Sequence, residues 1–111
     1  MCEPRDIDPA EFVRLLVSGR LDGARIVDVR EPEEWERYAL EQAERVPMRL
    51  VPVRMRRWPK DKDIYVLCAH GIRSAAVCDY LRQNGFARVV NVAGGLAAVA
   101  WLKDGVLYDR V

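Results

Sequence analysis

The run Cys68-Ala69-His70-Gly71-Ile72-Arg73-Ser74 gathers more groups suited to chemistry than any other stretch of this 111-residue chain. Residues 63–68 form a continuous apolar run, read as a strand buried on both faces, and residues 74–84 read as a helix closed by Gly85. A cysteine between such a strand and such a helix faces the helix N-terminus, where unpaired N–H groups and the dipole favour negative charge. Both favour the thiolate, which is the nucleophilic form of cysteine. Ala69, His70, Gly71 and Ile72 form a short loop able to curl its amides around an anion, with Gly71 supplying backbone freedom. Arg73 adds a permanent cation whose fork suits oxyanions, and Ser74 is placed to cap the following helix. His70, the single histidine, reads equally well as a guide for an anionic donor and as an exposed loop residue. Cys68 is the candidate nucleophile, and Ala69, His70, Gly71, Ile72, Arg73 and Ser74 are the candidate substrate cradle.

The competing view of Cys68 is a small buried apolar residue, which free cysteine often is. The strand end, glycine, arginine and helix start within seven residues weigh against it. Cys78 is different: it falls inside a helix among alanine and valine, and reads as core. Cys2 stands near the terminus and carries no motif. The three cysteines are odd in number and lack a zinc-type spacing, so neither a metal site nor a disulfide framework is expected.

Elements able to hold such a loop alternate along the chain. Asp8-Pro9-Ala10-Glu11 opens a helix with a capping residue, an N1 proline and an acid three residues after the cap, and Gly19 stops it. Residues 25–29 form a β-branched strand and residues 31–35 an acidic helix start. Val46-Pro47 ends a short strand. Residues 50–58 are weakly helical and strongly basic. Residues 89–92 form another strand, and Gly94-Gly95 opens a small-residue helix over residues 96–100. An Asp104-Gly105 turn between apolar runs predicts a C-terminal hairpin over residues 101–108. This rhythm predicts an α/β fold with a mostly parallel five-stranded sheet and helices on both faces, in one domain over residues 1–111. In such sheets ligands sit at the carboxyl ends of the strands, where Cys68 stands.

Bulk composition narrows the function. Half the residues are apolar and 32% are charged, with a net charge of +1, which gives no footprint for general nucleic-acid binding. The longest apolar run, residues 96–102, has seven residues, where a membrane span needs about 20. The first residues lack the apolar core of a leader peptide. With free thiols, this predicts a reducing, cytoplasmic setting. Arg49, Arg54, Arg56, Arg57, Lys60 and Lys62 form a basic stretch, read as a solvated face or a dock for an acidic protein partner.

Three motifs in order resemble the rhodanese family. Asp28-Val29-Arg30 ends a strand before the acidic Glu31-Pro32-Glu33-Glu34-Trp35. Cys68, four residues, Arg73 and Ser74 match the family's active loop. Asn84-Gly85-Phe86, a strand and Gly94-Gly95 complete the pattern, so the likeness runs from residue 26 to about residue 102. The resemblance implies a sulfurtransferase of the thiosulfate type. Cys68 would take the outer sulfur of thiosulfate or a persulfide, hold it as a covalent persulfide without a separate cofactor, and yield it to a thiol or to cyanide. Asp28 and Arg30 would support the loop from the neighbouring strand end, or else form a surface ion pair with Arg73 or Glu33. Related phosphatases place five residues between cysteine and arginine; four here disfavour phosphate. The alternatives are a binding or regulatory module with the same fold, and a carrier that passes sulfur to one protein partner. The chain departs from the family between Tyr38 and Arg45, where a helical connection is expected, and in the late placement of Trp101.

Overall fold

The computed structural model describes residues 5–105. The strands are β1 (Asp6–Ile7), β2 (Arg25–Asp28), β3 (Glu44–Arg45), β4 (Ile64–Leu67) and β5 (Val89–Val92). They form one sheet in the order β1-β5-β4-β2-β3, and every pairing is parallel. Parallel neighbours need crossovers, and helices supply most of them. These are α1 (Pro9–Val17), α2 (Pro32–Trp35), α3 (Val51–Arg54), α4 (Ile72–Gln83) and α5 (Gly95–Asp104). One 3-10 turn, Met48–Leu50, precedes α3 and another, Met55–Arg57, follows it.

Alternation along the central strands sorts the core into two layers. Val27, Val66, Cys68 and Val89 face Val77, Cys78 and Leu81 of α4, with Val51 and Trp58 beside them. Ile26, Tyr65, Leu67, Val90 and Val92 face Phe12 and Leu16 of α1 and Leu96 and Val99 of α5. β4 and β5 are buried along their whole length, as strands covered on both faces must be. Asn91 is the polar exception in β5, and by alternation it shares the α4 face with Val89 and Cys68.

Local chemistry sets the element ends. Asp8 Oδ2 accepts from Ala10 N at 3.0 Å and starts α1. The basic stretch after Pro47 is helical, as its pattern suggests, but broken into short α and 3-10 pieces.

Three expectations are corrected. The helix expected from Ser74 begins two residues earlier, because Gly71 takes a left-handed φ of 95° and lets the chain turn directly into α4. Ser74 therefore lies within the first turn of α4 and does not cap it. The connection after Trp35 is not helical: it runs through turns into β3. The first arm of the expected hairpin, residues 101–104, continues α5 to Asp104 with Trp101 and Leu102 exposed, and Gly105, at a left-handed φ of 67°, caps that helix and ends it there. The second arm lies outside the described residues. β1, which no pattern in the sequence marks, has only two residues and exists through its pairing of Asp6 with Asn91 and Ile7 with Val92. Among the described residues no helix is long and apolar enough to cross a membrane, and no cluster of His, Cys, Asp or Glu could hold a metal ion.

Candidate active site

Cys68 follows β4 directly and is 1% exposed. Its Sγ accepts from Gly71 N at 3.1 Å and from Ser74 N at 3.3 Å, and Ser74 Oγ lies 3.3 Å away. The chain achieves this ring by ending the strand at residue 67, turning through Ala69 and His70, and starting α4 at once. The first amides of a helix have no intrahelical acceptor, so a sulfur placed there receives them.

The loop backbone is fixed from the other side of the sheet. Leu96 N donates to Cys68 O at 2.8 Å and Ala97 N donates to Ala69 O at 3.0 Å. The first amides of α5 thus clamp the loop that carries the sulfur. Gly95 makes the approach feasible, since a Cβ there would lie 2.5 Å from the carbonyl oxygens of both Cys68 and Ala69. Tyr38 packs beside Ala69, Ala97 and Ala100, and its hydroxyl bonds Asp104. Burial, then that bond, raises the Tyr38 phenol well above its ordinary range. The Tyr38 to Arg45 segment, which departs from the family pattern, therefore supplies one wall of the loop.

The other candidate residues fall as follows. Ala69 and Gly71 are buried, His70 is exposed, and Ile72 is 80% exposed at the mouth of the loop. Arg73 turns its fork to Glu34, with Nη1–Oε1 at 2.9 Å and Nη2–Oε2 at 2.8 Å. These hydrogen bonds, more than burial opposes them, hold the Glu34 carboxyl down at about 2. Asp28 and Arg30 are not a surface pair with Arg73 or Glu33. Both are fully buried and pair with each other, Nη2–Oδ2 at 2.8 Å and Nε–Oδ1 at 3.0 Å. Arg30 also donates to Glu34 O at 3.1 Å and Tyr38 O at 2.7 Å, which ends α2 and ties down the turn after it. Arg30 thus reaches the backbone of Glu34, the partner of Arg73, and of Tyr38, the neighbour of Ala69.

Cys78 is buried in the core, and burial pushes its thiol up to about 12. Cys68 and Cys78 are both free thiols. Two residues at the site were not legible beforehand. Glu34 carries only the mark of a helix-start acid, and Asn91, which bonds Ser74 Oγ and Gly71 O, reads as an ordinary strand position. The arrangement as a whole offers a strand-end sulfur with backbone donors, which is a cradle for a nucleophilic or anionic sulfur.

The chain is similar to known proteins in sequence and in fold. The family model described as "Rhodanese-like domain" matches residues 8–101. A protein of Allochromatium vinosum named "Sulfurtransferase" is 41% identical over 81 residues, which is 73% of this chain and 74% of that protein. The crystal structure of a rhodanese-like domain protein from Staphylococcus aureus superposes with a TM-score of 0.77 at 35% identity, covering 86% of this chain and 90% of that one. The solution structure of a rhodanese-like domain from Anabaena gives 0.79 at 27% identity, covering 98% and 84%.

Proposed function

The chain belongs to the rhodanese-like domain family, and from that premise we propose that it moves a sulfane sulfur from a donor such as thiosulfate to a nucleophilic acceptor through a persulfide on Cys68. Sulfur transfer is the general chemistry of this superfamily. The observation that carries the specific reading is the donor ring around Sγ: Gly71 N, Ser74 N and Ser74 Oγ at a helix start.

In the first half-reaction the Cys68 thiolate attacks the outer sulfur of thiosulfate. A bond forms between Sγ and that sulfur, the donor's S–S bond breaks, and sulfite leaves with the electron pair. In the second, cyanide or a thiolate attacks the outer sulfur; the Sγ–S bond breaks and its pair returns to Sγ. The products are thiocyanate or a new persulfide. Both steps are displacements at sulfur, so they call on no cofactor beyond the covalent intermediate. Ala69 to Ser74 form the cradle in this reading, with Asp28 and Arg30 bracing it. Free thiols at Cys68 and Cys78 suit a reducing, cytoplasmic setting.

A protein acceptor is favoured by one feature. A groove of about 220 Å³ lies between Met48, Val51 and Pro52 on one side and Ala76, Val77 and Tyr80 on the other. Ala76 stands one turn past the exposed Ile72, so the groove begins beside the loop mouth. Arg56 stands one turn past Pro52, which puts a cation toward the other end. An acidic segment with apolar side chains fits such a surface.

The test is thiocyanate formation from thiosulfate and cyanide. Cys68→Ser should abolish it with the fold intact, whereas Cys78→Ser should keep it within about twofold, since a core thiol serves packing. Unchanged turnover in Cys68→Ser refutes the assignment. No turnover in the wild-type chain leaves the binding-module reading ahead.

A further inference from the structure

Ser74 Oγ lies between two acceptors, Cys68 Sγ at 3.3 Å and the side chain of Asn91. A hydroxyl has one hydrogen, so it can satisfy only one of them at a time. The neighbouring contact fixes how Asn91 is turned. Asn91 Nδ2 donates to Gly71 O at 3.3 Å, a carbonyl that can only accept. Asn91 Oδ1 therefore faces Ser74, and an amide oxygen can only accept as well. Both Ser74 and Asn91 are buried, so water offers no ready substitute for either bond.

We propose that Asn91 is a positioning residue that governs thiolate formation at Cys68 by competing for the single hydrogen of Ser74. While Sγ carries a proton, the hydroxyl donates to Asn91 Oδ1 and offers a lone pair to the S–H. Once Sγ is a thiolate, the hydroxyl turns and donates to it. In the transfer step the Sγ–S bond breaks with its pair going to Sγ, and the same turn stabilises the departing thiolate. This purpose rests on the sulfur-transfer reading of Cys68, although the hydrogen-bond competition itself does not.

Other charged and titratable groups surround the sulfur: Cys78 from α4, the Asp28–Arg30 pair at the end of β2, the Glu34–Arg73 pair between α2 and α4, and His70 in the loop. The side-chain donor at hydrogen-bond distance from Sγ is Ser74 Oγ. A double-mutant comparison on Ser74 and Asn91 holds all the others constant.

The experiment is the pH profile of iodoacetamide alkylation at Cys68, resolved by mass spectrometry, in the wild-type chain, Ser74→Ala, Asn91→Leu and the double variant. Alkylation needs no sulfur donor, so this test and the sulfur-transfer test fail separately. Ser74→Ala should move the profile to higher pH by about one unit, the size expected for one hydrogen bond. Asn91→Leu should move it to lower pH, because the hydroxyl no longer has a second acceptor. The double variant should match Ser74→Ala, since Asn91 acts through Ser74. Should Asn91→Leu fail to fold, Asn91→Val, which suits a strand, replaces it. A profile unmoved in Ser74→Ala, moved upward or unmoved in the Asn91 variant, or additive in the double variant overturns the proposal.

Discussion

Each side chain at the site is defined by what it can donate or accept. Sγ of Cys68 receives two backbone amides, whereas Cys78, ten residues further on and in the core, is pushed up to about 12 by burial. Iodoacetamide at pH 7 should therefore label Cys68 and spare Cys78, which peptide mass spectrometry reads; labelling confined to Cys78 would reverse the assignment. Glu34 makes a second prediction. Its folded value, about 2, lies below the ordinary 4.5, so its pair with Arg73 stabilises the fold above pH 4.5 and loses that effect as pH falls through 2. The pair is partly exposed, so the gain is about 1 kcal/mol or less. The melting-temperature gap between the wild-type chain and Glu34→Gln should be constant above pH 5 and close toward pH 2. Cys68 and Gly71 were legible because their geometry is local, within one loop, whereas the Arg73 fork turns out of the loop to Glu34. Glu34 stands 39 residues from Arg73, and Asn91 17 from Ser74; no local pattern marks contacts made only by folding.

Elements bring these residues together, and two contacts between them are exposed to single substitutions. Gly95→Ala places a methyl 2.5 Å from two backbone carbonyls at a φ of 62°, so α5 must retreat from the Cys68 loop. The expected outcome is a stable enough fold with turnover reduced more than tenfold; wild-type turnover would show that the α5 clamp is dispensable. Arg30→Met removes the partner of a fully buried Asp28 and frees the turn around Tyr38. Leaving that carboxylate uncompensated should cost about 3–5 kcal/mol in denaturant unfolding. The start of α1 was readable from Asp8-Pro9 because caps are written in adjacent residues. The start of α4 was misplaced because Ser74 resembles a cap, while the left-handed Gly71 made an earlier start possible. The turn-rich path after Trp35 was hidden for a similar reason: Arg30, upstream of it, supplies the bonds that a helix would otherwise make internally.

Across the whole molecule, the parallel sheet places the ends of β2, β4 and β5 side by side, with one apolar layer beneath α4 and another beneath α1 and α5. Strand–helix alternation was enough to infer this architecture. The edge strand β1 was not inferable, since two residues carry no periodicity and depend on β5 for their conformation. Phe12, fully buried and 5.7 Å ring to ring from Tyr65, holds the layer remote from Sγ. Phe12→Ala should cost about 3–5 kcal/mol of stability while leaving the rate per folded molecule near wild type; a matching loss of rate would show that the two layers are coupled. The sulfur itself is reported by mass spectrometry of the intact chain after thiosulfate treatment and desalting. The expected spectrum shows a gain of about 32 Da, one sulfur atom, located at Cys68 and removed by cyanide. No gain, or a gain located at Cys78, would refute Cys68 as the carrier.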